Sequence, residues 1–211
     1  MNKIHYINNG ILFTNTREEH ASALEELQYI VFPNLAENEI LQAEHYLKHL
    51  KIFPEGQLVA LDNNKVIGGT TTMRYNFDLN DPVHHTFNET VAGGWLTNHD
   101  PEGEWLYGID VSVHPDYRGR GVAKEFYKIR SEIAKKLGCK GQLTVGMLNG
   151  YINYKDHLTI DEYYLKVKSH EIFDPTVSVQ EKIGFEIKGL IKNYLNDPTC
   201  GNAGAIIVMY R

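Results

Sequence analysis

Cysteine is scarce in this 211-residue chain: Cys139 and Cys200 are the only two, they form no CxxC pair, and their separation matches no metal-ligand spacing. Disulfide and zinc frameworks are therefore not what holds the protein together, and two free thiols point to a reducing compartment. Long apolar runs are missing as well, since no stretch approaches the roughly 18 residues of a membrane-spanning helix. Met1 to Gly10 carries neither a basic segment followed by an apolar run nor the cleavage site of a secretory leader. The expected location is cytoplasmic, with no membrane partner. Positive charge is also short: 21 Lys and Arg stand against 27 Asp and Glu, a formal net charge of −6. Without a basic field for a phosphate backbone, no nucleic-acid partner is expected.

Signatures of several chemistries are absent too. No Gly-Lys-Ser/Thr of a P-loop occurs, and the third glycine of a dinucleotide fingerprint is replaced by Lys124. His45 and His49 stand at i, i+4, but no carboxylate occupies the HExxH position, so a surface pair is expected and no metal.

What is present is an ordinary globular composition, 42% hydrophobic and 23% charged, with no repeat or linker, read as one domain over residues 1–211. The most informative stretch runs from Val111 to Lys124: an apolar strand, a turn at Val113-His114-Pro115, the loop Arg118-Gly119-Arg120-Gly121, and the start of a helix. Its glycines permit unusual φ and close backbone approach, and the first free N–H groups of the helix offer the positive end of a dipole. That combination cradles an anion such as a pyrophosphate. The helix carries Val122, Phe126, Ile129, Ile133 and Leu137 as an apolar stripe, with Lys124, Glu125, Lys128, Arg130 and Lys135 spread over the rest and Gly138 at its end.

Before it, Ile11 to Thr16 alternates like a strand, Arg17 to Phe32 has helical spacing, and Glu37 to Leu50 predicts a second helix. Gln57 to Leu61 and Lys65 to Tyr75 read as strands joined at Asp62-Asn63-Asn64. From Asn76 to Gly103, with His84, His85, Trp95 and His99, the pattern dissolves into a long insertion before the strand from Glu104 to Val113. After the glycine-loop helix come a strand at Gln142 to Met147 and a tyrosine-rich insertion, Leu148 to Phe173, with a helical turn or two at Asp161 to Lys168. A short helix introduced by Asp174-Pro175 ends at Gly184. Phe185 to Tyr194 and Ala203 to Tyr210 close the chain as strands, the last so apolar that it is central or covered on both faces.

The element order, the signature Arg118-Gly119-Arg120-Gly121-Val122-Ala123 with Val113-x-Pro115 before it, and the later Lys182-Ile183-Gly184-Phe185 resemble the GNAT superfamily of acetyl-CoA-dependent N-acetyltransferases. The resemblance covers nearly all of Ile11 to Arg211, and the tail with its tyrosine-bearing insertion is also similar to GNAT domains associated with carbon–nitrogen hydrolases. It implies an α/β (α+β) fold with a central mixed, mostly antiparallel sheet of about seven strands, helices on both faces, and a splayed V between the fourth and fifth strands. In such a fold acetyl-CoA is the cosubstrate. Its pyrophosphate would sit on Arg118, Gly119, Arg120, Gly121, Val122 and Ala123, and its pantetheine arm would lie along the unpaired backbone of Val111 and Val113 like an added strand.

Acetyl transfer to an amine needs a base, a polarised thioester and a proton for the departing thiolate. Asp110 and Glu104 are the candidate bases on the strand before the loop, with Asp110 nearer the V. The family's usual acid, a tyrosine four residues before the Gly of Gly-Phe, is here Gln180, which has no proton to give. Tyr154 or Tyr151 of the insertion, or a hydrogen bond from Ser178, remain as substitutes. The two insertions are long enough to roof a site, which favours a small polar amine such as a free amino acid over a peptide. A protein or peptide acceptor, a silent acyl-CoA-binding module, a different nucleotide-binding α/β protein and pairing with a second copy of the chain all stay open.

Overall fold

The computed structural model describes residues 5–81 and 85–211. His84, one of the histidines of the first insertion, lies outside them. Eight strands form one sheet: β1 (His5–Asn8), β2 (Ile11–Asn15), β3 (Leu58–Asp62), β4 (Lys65–Tyr75), β5 (Trp105–Val113), β6 (Gly141–Met147), β7 (Glu186–Ile191) and β8 (Gly204–Tyr210). Their spatial order is β1-β2-β3-β4-β5-β6-β8-β7. The strand beyond the expected seven or so is β1, an exposed edge hairpin partner of β2. Every pairing is antiparallel except β5 with β6. The apolar β8 is central, flanked by β6 and β7, as its composition predicts.

One face of the sheet is covered by α1 (Ala21–Val31), α2 (Ala43–Ile52) and the first insertion, whose Leu24, Tyr46, Val91 and Leu96 pack with Tyr107 and Leu143. The other face carries α4 (Val122–Lys136), α5 (Ile160–Lys168) and α6 (Val177–Ile183), through Phe126, Ile133, Tyr163 and Val177. The insertion itself contains a short helix α3 (Phe87–Thr90), capped reciprocally by Thr86 and Glu89.

Two expectations are corrected. The second helix does not run from Glu37: a 3₁₀ turn at Glu37–Glu39 precedes α2. The break turns the Glu39 carboxylate inward, where it accepts from the Asn196 amide (2.7 Å) and side chain (2.8 Å). His45 and His49 are buried rather than a surface pair. His45 stacks edge-on against Trp95, and His49 Nε2 meets Gly94 O at 2.6 Å, so both clamp the insertion onto α2. Burial holds the His49 imidazole down to about 4, hence neutral at physiological pH.

Two irregularities shape the middle of the sheet. The β4–β5 ladder shifts register between Thr71 and Thr72, opposite Asp110 and Gly108, leaving Ile109 as an extra, bulged residue. The bulge turns Asp110 toward α1. Next to it, β5 and β6 pair over only three positions, Leu106 with Gln142, Tyr107 with Leu143 and Gly108 with Thr144. Thr144 Oγ1 fastens the last pair by donating to Gly108 O at 2.6 Å. Beyond it, β5 follows β4 and β6 follows β8, so the strands part into a V.

Candidate active site

The V begins at the glycine loop. Gly119 and Gly121 have φ of +74° and +82°, and Gly121 is the left-handed N-cap of α4 with no side-chain cap. The leading N–H groups of α4 at Val122, Ala123 and Lys124 precede its first i to i−4 bond, Glu125 N to Gly121 O, and are left for an anion. A Cβ on either glycine would meet nothing within 4 Å, so it is backbone conformation that requires glycine there. Arg118 Nε donates to Val113 O at 3.3 Å, and the Arg120 guanidinium lies 4.8 Å over the Tyr117 ring.

From the loop, β5 runs down one arm of the V. His114 N donates to Ile67 O, and Ser112 faces Gly69. The alternation of an antiparallel ladder therefore turns the backbone polar groups of Val111 and Val113 away from β4, into the gap. On that side β5 has no partner strand beyond Gly108 among the described residues.

At the bulge, the half-buried Asp110 has its carboxylate on the α1 side. Oδ1 accepts from Thr71 N (2.7 Å), and Oδ2 accepts from Gln28 Nε2 (2.7 Å) and Ser112 Oγ (3.0 Å). Desolvation raises its pKa, and these three hydrogen bonds restrain the rise. A narrow cavity opens beside it, lined by Gln28, Leu41, Phe87, Asp110, Val145 and Tyr194. A larger surface hollow around Arg17, Asn64 and His114 is bordered by α1 and the β3–β4 turn and does not include Asp110.

On the opposite face, three polar side chains converge on the apex. Gln180 of α6 donates through Nε2 to Tyr127 Oη of α4 at 2.8 Å. Arg130 of α4 sits with its guanidinium 5.3 Å over the Tyr127 ring and is fully buried, whereas the sequence spacing spread it over the solvent side of the helix. Gly108 and Gly146 make the room: a Cβ on Gly108 would overlap the Arg130 guanidinium, and one on Gly146 would press on Gln180 Oε1. Burial pulls the Arg130 guanidinium down to about 10, so it stays charged at neutral pH. Burial raises Tyr127, with Arg130 and Gln180 acting against the rise.

The remaining sequence candidates are elsewhere or differently engaged. Glu104 precedes β5, at the end remote from the V, and its exposed carboxylate pairs with Lys140 at 2.6 Å. Tyr154 packs on Tyr163, whose hydroxyl donates to Asp174, and Tyr151 Oη donates to Leu158 O. Ser178 Oγ accepts from the Asp174 amide at 2.9 Å within the start of α6. Neither Tyr127 nor Arg130 was singled out by sequence. The signal was present in the i, i+4 run of Phe126, Arg130 and Ala134, which puts Arg130 on the packed stripe.

The acetyltransferase (GNAT) family model matches residues 21–153. The chain belongs to the GNAT family. Two relatives come from Bacillus subtilis (strain 168). The uncharacterized N-acetyltransferase YkwB is 30% identical over 208 residues, 96% of this chain and 92% of the relative. The probable hydrolase YhcX is 34% identical over 189 residues, 90% of this chain. The match spans only 36% of YhcX, which accords with the resemblance to GNAT domains joined to hydrolases. Among solved structures, the GphF GNAT-like decarboxylase in complex with isobutyryl-CoA superposes with a TM-score of 0.78 at 19% identity, over 94% of this chain and 98% of that one. The two share the fold described above. Among the described residues, no group of His, Cys, Asp and Glu is arranged to hold a metal ion, and no helix is long and apolar enough to cross a membrane.

Proposed function

We propose that the protein is an acetyl-CoA-dependent N-acetyltransferase that passes its acyl group directly to the primary amine of a small polar metabolite. The observation that carries this is the V itself: the backbone of Val111 and Val113, which has no partner strand on that side among the described residues, leads from an anion cradle to a desolvated carboxylate, Asp110, beside a cavity. The residues Arg118 to Ala123 hold the pyrophosphate. Asp110, whose carboxylate is made more basic by burial, takes the proton from the attacking ammonium. The amine nitrogen then attacks the thioester carbonyl carbon, the C–N bond forms, and the C–S bond breaks.

Tyr127 supplies the proton to the thiolate, and the proton that the nitrogen loses on becoming an amide returns to its phenolate oxygen. Its Oη accepts from Gln180 Nε2, which leaves the phenolic hydrogen to point elsewhere, so the acid role passes from the family's α6 position to the neighbouring α4 side chain. Glu104, ion-paired away from the V, has no part in this scheme, and Tyr154 and Ser178 support the fold around it. A small acceptor is favoured because the cavity is walled by α1 and the first insertion. The experiment is an acetyl-CoA turnover screen over amines, with release of free CoA as readout. Turnover with a small amine, reduced about 10²-fold or more in Tyr127→Phe at unchanged donor affinity, is the expected result. Donor binding without turnover on any amine or peptide would make the protein a silent CoA-binding module. Turnover confined to peptides would overturn the acceptor.

A further inference from the structure

Arg130 has an excess of hydrogen-bonding capacity that the acetyl-transfer scheme does not use. Its side chain is fully buried, and Nε, Nη1 and Nη2 have no acceptor among the described residues. The carboxylate beside the V, Asp110, is bonded to Thr71, Gln28 and Ser112 instead. Asp110 acts on the guanidinium only through its field, and the Tyr127 ring only through its face, so a buried cation is left with no acceptor among the described residues for its N–H groups, a costly arrangement. Yet two strand glycines keep space for this cluster, Gly108 under the guanidinium and Gly146 under Gln180. Gly108 is also the last β5 residue paired with β6, the point at which a thioester threaded down the V would end.

A thioester oxygen or a thiolate at that point would engage one N–H group and leave the others open. A carboxylate matches the planar guanidinium with two parallel bonds and neutralises it. We infer that the acyl group brought to this apex ends in a carboxylate held by Arg130, so that the favoured donor is the CoA thioester of a short dicarboxylic acid, of malonyl to succinyl length. The inference rests on the acyl-CoA reading above, keeps its site and reaction, and replaces acetyl by a carboxyacyl group as the favoured donor. The chemistry is otherwise unchanged: the amine attacks the thioester carbon, CoA leaves as its thiol, and the distal carboxylate passes intact into the amide product.

The test is calorimetric titration of the full chain with acetyl-CoA, malonyl-CoA and succinyl-CoA, repeated on Arg130→Met and Arg130→Lys. Wild-type protein is expected to bind one of the carboxyacyl thioesters about tenfold or more tighter than acetyl-CoA, in line with a hydrogen-bonded charge pair. Arg130→Met is expected to erase that preference, and to raise Tm in the absence of ligand because buried N–H groups without acceptors are gone. Arg130→Lys, a point charge without the fork, should keep only part of the preference. Equal affinities in the wild type, or a preference that survives in Arg130→Met, would overturn the inference while leaving the acyl-CoA reading intact. An Arg130→Met that binds all donors normally but loses turnover equally with each would assign the guanidinium to the departing thiolate and also sink it. Failure of every thioester to bind would instead remove the reading on which it rests.

Discussion

Two pairs of glycines bracket the V, and they are glycines for opposite reasons. Gly119 and Gly121 lie in an exposed loop with φ of +74° and +82°, and a Cβ there would touch nothing. Gly108 and Gly146 sit in extended strands, where any residue type is conformationally at ease, but a Cβ there would strike Arg130 or Gln180. The loop glycines are needed for what the backbone does, and the apex glycines for what fills the space above them. The loop is a general anion seat. The apex gathers polar side chains from both faces of the sheet, Asp110 on one and Tyr127, Arg130 and Gln180 on the other.

The strongest way to separate the two regions is to disable the chemistry while leaving both glycine pairs alone. Asp110→Asn keeps the shape and an acceptor oxygen for Thr71 N, but its amide nitrogen no longer accepts from Gln28 Nε2 or Ser112 Oγ, and it removes the proposed base. Turnover is expected to fall by about 10²- to 10⁴-fold with donor affinity unchanged, measured as kcat beside a titrated Kd. The wild-type pH profile should rise on its acid limb through an ionisation above the usual carboxylate range, because burial raises the Asp110 pKa. The same shift has a stability sign. A carboxyl with a raised folded pKa contributes stability below its unfolded pKa and loses that contribution as pH rises through the folded value. Asp110→Asn should therefore be at least as stable as wild type at neutral pH. A drop in Tm at pH 7 would mean that the carboxylate is there to hold the bulge.

Next in size is Gly108→Val, which places a branched side chain where the Arg130 guanidinium lies. Overpacking of this kind costs about 1–3 kcal/mol, visible as a lower urea midpoint, and donor turnover should fall with it. The origin is steric, so it must be relieved by removing the other side chain. The double variant Gly108→Val with Arg130→Ala is expected to recover most of the stability, a non-additive cycle between touching residues. Additive losses would show that Gly108 answers to something other than Arg130.

How much of this was legible in the chain follows from range. The glycine loop, the helix after it, and Asp110 just before it are local in sequence. Spacing alone therefore predicts the anion cradle and the amphipathic stripe. The sheet, short by the edge strand β1, its splay and the place of Asp110 beside it come from the resemblance to the GNAT superfamily. The apex is different. Gly108 faces Arg130, and Gly146 faces Gln180, only because three β5–β6 pairs and the bulge at Ile109 fix the register, and register between parallel strands joined through a helix leaves no short-range mark. Arg130 looked like solvent-facing charge because charge outweighed position, although Phe126 four residues earlier is fully buried on the same stripe. Glu104 shares β5's neighbourhood with Asp110 in sequence, but a strand rises about 3.3 Å per residue, so six residues carry it to the far end. There it meets Lys140.

The smallest expected effect is also the sharpest contrast. Gly121→Ala adds a methyl group into open space, so no neighbour has to move; its whole cost is the left-handed backbone, on the order of 1–2 kcal/mol for a β-carbon-bearing residue. Because this N-cap aims the first amides of α4, the cost should appear mainly as a weaker Kd for CoA, about fivefold to thirtyfold, with a small change in Tm. Asparagine tolerates the left-handed region far better than alanine, so Gly121→Asn is expected to bind CoA more tightly than Gly121→Ala despite its larger side chain. At Gly108 the order must reverse. Asparagine is bulkier than alanine and gains nothing from an extended φ, so Gly108→Asn should be worse than Gly108→Ala in both stability and turnover. Titrating CoA into the Gly121 pair and measuring Tm and turnover of the Gly108 pair reads the comparison, and the same ranking of Ala and Asn at both positions would collapse the distinction between a glycine kept for conformation and one kept for space.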